Sequence, residues 1–149
     1  MGGVVSVIDP VGQFQKARDA RRKSDLSQIQ KALETYYNDI GQYPESSADY
    51  KIKANATTTL NWGSTGWQYM AALPKDPSVS LNYVYYSPTT PAVRQSYYLY
   101  ANLERGTKDS QACSGGNVCP SATANGVGTK CGVPSAKCNY GVTSPNVSL

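Results

Sequence analysis

The chain has 149 residues, enough for one domain around one core. Hydrophobic residues make up 40% and charged residues 16%, a globular composition on the polar side. There is no histidine, which excludes a Ser-His-Asp triad and removes the usual general base and the usual partner of a cysteine nucleophile.

Met1 is followed by Gly2-Gly3-Val4-Val5-Ser6-Val7-Ile8. That run is too short to span a bilayer or to form a full signal sequence. Residues 1–9 therefore read as the remnant of an apolar segment whose beginning is missing. From Pro10 to Ile40 the pattern predicts one long helix. Asp9 is a good N-cap, and Pro10 fits the first helical position, where a missing N–H costs nothing. Gly41 suits the left-handed position after the helix, and Pro44 blocks continuation. At 1.5 Å per residue such a helix is about 45 Å long, so part of it should protrude from a small domain.

The two halves of this helix differ. Leu26, Ile29, Leu33, Tyr36, Tyr37 and Ile40 recur at three- and four-residue spacing and form an amphipathic face. In the first half only Val11, Phe14, Ala17 and Ala20 repeat on one side, the rest is polar, and no partner within the chain is expected for this half. Between Lys16 and Lys31 stand six basic and two acidic residues, so this segment carries the whole net charge of +4. A basic stripe can meet nucleic acid, anionic lipid or an acidic neighbour; the plain alternative is a solvated face with local pairs such as Asp19–Lys23 and Arg21–Asp25.

Residues 45–77 form a loop region, with a short helix expected over Trp67–Leu73, capped by Ser64 or Thr65 and stopped by Pro74 and Pro77. Asp76 reads as a turn residue. Within 81–104, period-two alternation predicts strands at 81–86 and 97–103, joined as an antiparallel hairpin through a connection holding Pro88 and Pro91. There are twelve tyrosines against one phenylalanine. Tyr86, Tyr98 and Tyr100 would stack on single-stranded nucleic acid if exposed; the preferred reading has them covering the sheet.

From residue 106 to 149 the chain is small and polar, too poor in apolar side chains to hold itself down. It contains all four cysteines, Cys113, Cys119, Cys131 and Cys138. They lack the CxxC spacing of structural zinc sites and read as two disulfides formed in an oxidising, extracytoplasmic compartment. Four cysteines allow three connectivities, which the sequence leaves open, with neighbour pairing preferred. No P-loop, catalytic constellation or second domain stands out. The expected fold is α+β: a long N-terminal helix on a small antiparallel sheet, with a disulfide-stapled C-terminal segment.

Specific residues carry a resemblance. Ile8-Asp9-Pro10, the run from Gln13 through Arg18-Asp19-Ala20-Arg21-Arg22-Lys23-Ser24-Asp25-Leu26, Tyr36-Tyr37, Gly41-Gln42-Tyr43-Pro44 and Leu73-Pro74-Lys75-Asp76-Pro77 resemble type IV pilins and, more closely, type II secretion pseudopilins. The resemblance implies a structural filament subunit and not an enzyme. Its copies would pack through the helix, with Val11, Phe14, Ala17 and Ala20 facing neighbours and Arg18, Arg21 and Arg22 meeting acids on them. It implies a homo-oligomeric filament with other pilins and an inner-membrane assembly machinery as partners. It also implies a membrane anchor before assembly, then a periplasmic or cell-surface filament. The alternative is a minor pilin that binds DNA or a surface through its basic helix or C-terminal loop. Some members bind calcium in a loop after the sheet; here only Glu104 and Asp109 stand near that place, short of the carboxylate cluster calcium requires.

Overall fold

The computed structural model describes residues 9–90 and 92–149. The expectations for residues 1–8 and for Pro91 lie outside them. Helix α1 runs over Pro10–Ile40, as the caps predict. Asp9 Oδ1 accepts from Gly12 N at 3.0 Å, and Gly41 closes the helix at φ 82°, donating to Tyr37 O at 2.7 Å. That backbone conformation favours glycine because it has no Cβ to clash.

The sheet has three short antiparallel strands in the order β1-β2-β3: β1 at Val84–Tyr86, β2 at Tyr98–Ala101 and β3 at Tyr140–Thr143. Val84 faces Tyr100 across the β1–β2 pair, and Tyr98 faces Thr143 across the β2–β3 pair. The expected strands are present but shorter than 81–86 and 97–103. The third strand comes from the disulfide-stapled tail, where the sequence predicts no strand.

Alternation along the strands feeds two cores. One face sends Tyr83, Tyr85, Tyr97, Leu99 and Ala101 against Leu26, Ile29, Ala32 and Leu33 of α1. Tyr43, Ile52, Leu60, Trp67 and Leu73 from the loop region close this core. The other face sends Val84 and Tyr100 against Cys119, Ala122, Val127, Cys131 and Cys138, with Tyr86 and Tyr98 half-buried alongside. The molecule therefore has three layers: helix, sheet and disulfide-bonded segment. The tail holds a short helix, α2, at Pro120–Ala124 and covers the sheet instead of trailing from it. Its disulfides pair neighbours, Cys113–Cys119 and Cys131–Cys138.

The short helix expected over Trp67–Leu73 does not form. Thr65 and Ala72 make an antiparallel bridge, Leu73 N donates to Ser64 O at 2.8 Å, and Gly63 N donates to Leu73 O at 2.7 Å. The hairpin-like loop places both Trp67 and Leu73 in the core, which decides the conformation.

Candidate functional site

The basic half of α1 does not stand free. Arg22 is fully buried, at 0% exposure, and its guanidinium is bonded on every edge. Nε and Nη2 donate to Asp76 Oδ2 and Oδ1 at 2.8 and 2.9 Å, a two-point fork. Nη2 also reaches Ser78 Oγ at 3.0 Å, while Nη1 donates to Asp19 Oδ1 at 2.8 Å and Glu104 Oε2 at 2.7 Å. Arg18 adds a second fork onto Glu104, with Nε at 2.6 Å and Nη2 at 2.8 Å.

Asp19 also accepts the backbone N–H groups of Glu104 and Arg105, each at 2.9 Å. One turn of α1 is thereby fastened to the Pro74–Pro77 stretch and to the chain leaving β2. Further along, Lys23 Nζ lies 2.6 Å from Asp109, and the Tyr83 hydroxyl donates to Asp25 at 2.7 Å. Near the helix start, Arg105 Nη1 donates to the Gly12 carbonyl at 3.3 Å; a Cβ on Gly12 would crowd that nitrogen at 2.7 Å, so glycine admits the approach.

The electrostatics follow from the geometry. Burial works against the Arg22 charge, but bonds to Asp76, Glu104 and Asp19 outweigh it and raise the pKa. The Arg18 fork, joined by Arg22 and opposed by burial, holds the Glu104 carboxyl down to about 2. Burial opposes the Asp109 charge, yet the Lys23 ammonium and the Gln111 N–H keep its pKa below the usual value. Burial, and then Asp25, push the Tyr83 phenol well up.

This arrangement corrects several expectations, including that of a first helix half without partners in its own chain. Arg22 is not available to a neighbouring copy, because its own chain surrounds it. Arg18, though partly exposed, spends its guanidinium on Glu104. Only Arg21 of the three remains open, its side chain 59% exposed and its Nε 3.9 Å from Asp25. Asp19 pairs with Arg22 rather than Lys23, and Asp76 is a buried ion partner rather than a plain turn residue. Tyr100 is buried and Tyr86 and Tyr98 are half-buried, so the three do not offer an open stacking face. Val11 and Phe14 are exposed at 64% and 65%, and Ala17 and Ala20 are exposed with them.

A signal for Arg22 was present in the sequence. Leu26, Ile29 and Leu33 extend backwards at helical spacing onto Arg22 and Asp19, which places both in line with the core stripe. Asp76 and Glu104 lie 54 and 82 residues away and carry no local mark of the pairing.

The residues do not fit a bound calcium. The carboxylates of Glu104 and Asp109 are already occupied by Arg18, Arg22 and Lys23. Among the described residues no group of three or more metal-ligating side chains comes together.

With the helix, sheet and ion cluster in place, comparison with known families is decisive. The family model for type II secretion system protein G matches residues 10–115. The chain belongs to the type II secretion system protein G family. No curated protein and no solved structure matched. As a member of this family the chain is a pseudopilin-type secretion-system subunit, from a structural rather than a catalytic family, and the family implies extracytoplasmic assembly. The matched region holds α1, β1, β2 and the whole ion cluster. It stops before α2, the Cys131–Cys138 disulfide and β3, which are built from the sequence beyond it. Among the described residues, no helix is long and apolar enough to cross a membrane.

Proposed function

We propose that the protein is a structural subunit of a type II secretion pseudopilus or type IV pilus-like filament, assembled through α1 with sister copies and other pseudopilins. The observation that carries this reading is the mismatch between the two halves of α1. Leu26, Ile29, Ala32 and Leu33 are buried against the sheet, whereas Val11 and Phe14 stand in solvent at 64% and 65% exposure. Val11, Phe14, Ala17 and Ala20 follow one another at three-residue spacing, so their exposure forms a contiguous apolar stripe, the kind of patch that marks an interaction surface. A helix of 31 residues owes most of its stability to packing, and its first turns would gain that packing from neighbours.

In this reading the mechanism is mechanical. Copies stack with their helices alongside one another, Val11, Phe14, Ala17 and Ala20 are covered, and Arg21 is the arginine left to meet an acid on a neighbour. An apolar anchor continuous with α1 would hold the subunit in the inner membrane before the assembly machinery draws it into the filament. The ion cluster has a supporting role: it makes the basic turn of α1 one rigid body with the sheet, so force on the helix reaches the domain.

Cysteine crosslinking in cells that assemble the filament tests this. Phe14→Cys and Ala20→Cys, placed together in the full-length subunit, are expected to give a ladder of covalent multimers. Monomer alone in assembling cells would overturn the proposal.

A further inference from the structure

A cavity of about 280 Å³ lies between α1 and the turn after β2, lined by Lys16, Asp19, Ala20, Lys23, Arg105, Lys108 and Asp109. Its two carboxylates are already neutralised. Asp19 is held by Arg22 and by two backbone N–H groups, and Asp109 by Lys23 and the Gln111 N–H. Its remaining cations are not: Lys16, Arg105 and Lys108 form no ion pair among the described residues. Two of them come from the loop and one from the helix, so they converge on the cavity from both walls.

The acids of the chain itself are mostly spent. Seven of its ten, Asp19, Asp25, Glu45, Asp49, Asp76, Glu104 and Asp109, pair with basic side chains of the same chain. Glu34 accepts the Tyr43 hydroxyl, and Asp9 caps α1. Asp39, exposed and in no ion pair among the described residues, is the one left over, so a sister copy offers this pocket few unpaired carboxylates and an anion from another source suits its three cations better.

We infer that the pocket is a phosphate site, and that its occupant before assembly is the phosphate of an anionic phospholipid headgroup. The assignment to lipid rests on the anchored subunit proposed above. Lys16 is six residues, about 9 Å, along α1 from Pro10. A headgroup layer is about 5–8 Å deep, and the Debye length adds about 8 Å. An anchor ending near Pro10 brings the pocket within reach of that layer. Guanidinium and ammonium groups on opposite walls suit the tetrahedral oxygens of a phosphate. Occupation would set the tilt of the subunit on the membrane, and extraction into a filament would empty the site.

Vesicle sedimentation of the full 149-residue chain tests the inference. Binding to phosphatidylglycerol vesicles over phosphatidylcholine vesicles is expected, with affinity falling roughly 30-fold in the Lys16→Ala/Lys108→Ala double variant. Lys75→Ala/Lys130→Ala removes the same charge from residues that do not line the pocket and is the control, expected to bind nearly as the parent does. Equal losses in both doubles, or none in either, overturn the site. Inorganic phosphate alone, titrated by NMR, separates the sources. Saturable shifts at Lys16 and Lys108 without any vesicle binding would keep the phosphate site and overturn its assignment to lipid. Neither result depends on multimers, so failure here leaves the crosslinking test of the filament untouched.

Discussion

Arg22 and Asp76, 54 residues apart in the chain, meet as a two-point ion pair sealed from solvent, with Nε–Oδ2 at 2.8 Å. The pair fastens the helix to the segment that leads into β1. Two charges taken out of water gain little over apolar replacements, but removing one of them leaves the others stranded. Arg22→Met would strand Asp76 and Asp19 and is expected to cost about 3–5 kcal/mol in urea unfolding. Arg21→Ala, one residue away and exposed, is expected to change stability by no more than about 0.5 kcal/mol.

Acid stability should depend on Glu104. Its folded carboxyl is held at about 2, against an unperturbed value of 4.5. A depressed folded pKa contributes stability that is present above the unfolded value and is lost as pH falls towards the folded one. Thermal midpoints measured from pH 6 to pH 2 should therefore drop most steeply below about 4.5. In Glu104→Gln that part of the slope should be reduced, with a lower midpoint at pH 6.

The buried core tyrosines should resist ionisation while the protein stays folded. Burial raises the phenols of Tyr43, Tyr83, Tyr85 and Tyr97, and raises Tyr100 to about 12. A raised folded pKa gives stability that is full below the unfolded value near 10 and fades as pH rises through the folded one. Absorbance of phenolate is expected to show these five ionising only well above the ordinary range, together with alkaline unfolding. Ionisation of Tyr43, Tyr83, Tyr85 and Tyr97 at the ordinary phenol pKa in a still-folded protein would contradict the core described above.

Much of this was legible in the sequence, and the failures have physical causes. The helix was readable to the residue because Asp9, Pro10, Gly41 and Pro44 are local signals for its two ends. β1 and β2 were readable because alternation is local as well. β3 was not, since Tyr140-Gly141-Val142-Thr143 is short and glycine-interrupted, and only pairing with β2 makes it a strand. The tail reads as too polar to pack because the sheet face that receives Cys119, Val127 and Cys138 lies elsewhere in the chain. Arg22 reads as a surface charge despite its place in line with the core stripe, because the acids that bury it, Asp76 and Glu104, are brought to it only by the fold.

Removing the Cys131–Cys138 disulfide should loosen that tail. It closes a loop with a sequence separation of 7, a constraint worth about 2 kcal/mol in the loop-closure account. Cys131→Ala/Cys138→Ala is expected to lower stability by about that amount and to speed hydrogen exchange in β3 before α1.

Divalent cations should not matter to the fold. With Glu104 and Asp109 held by Arg18, Arg22 and Lys23, neither chelator nor added calcium is expected to move the melting temperature. A rise on adding calcium would show that a side-chain ammonium or guanidinium is displaced.

The central claim is that the open turns of α1 exist to be covered by other subunits. Maleimide labelling of Phe14→Cys in the full-length subunit measures this directly, in dispersed subunits and in purified filaments. Rapid labelling when dispersed and strong protection in filaments is the predicted result. Equal labelling in both states would place Phe14 outside the interface and contradict assembly through this part of the helix.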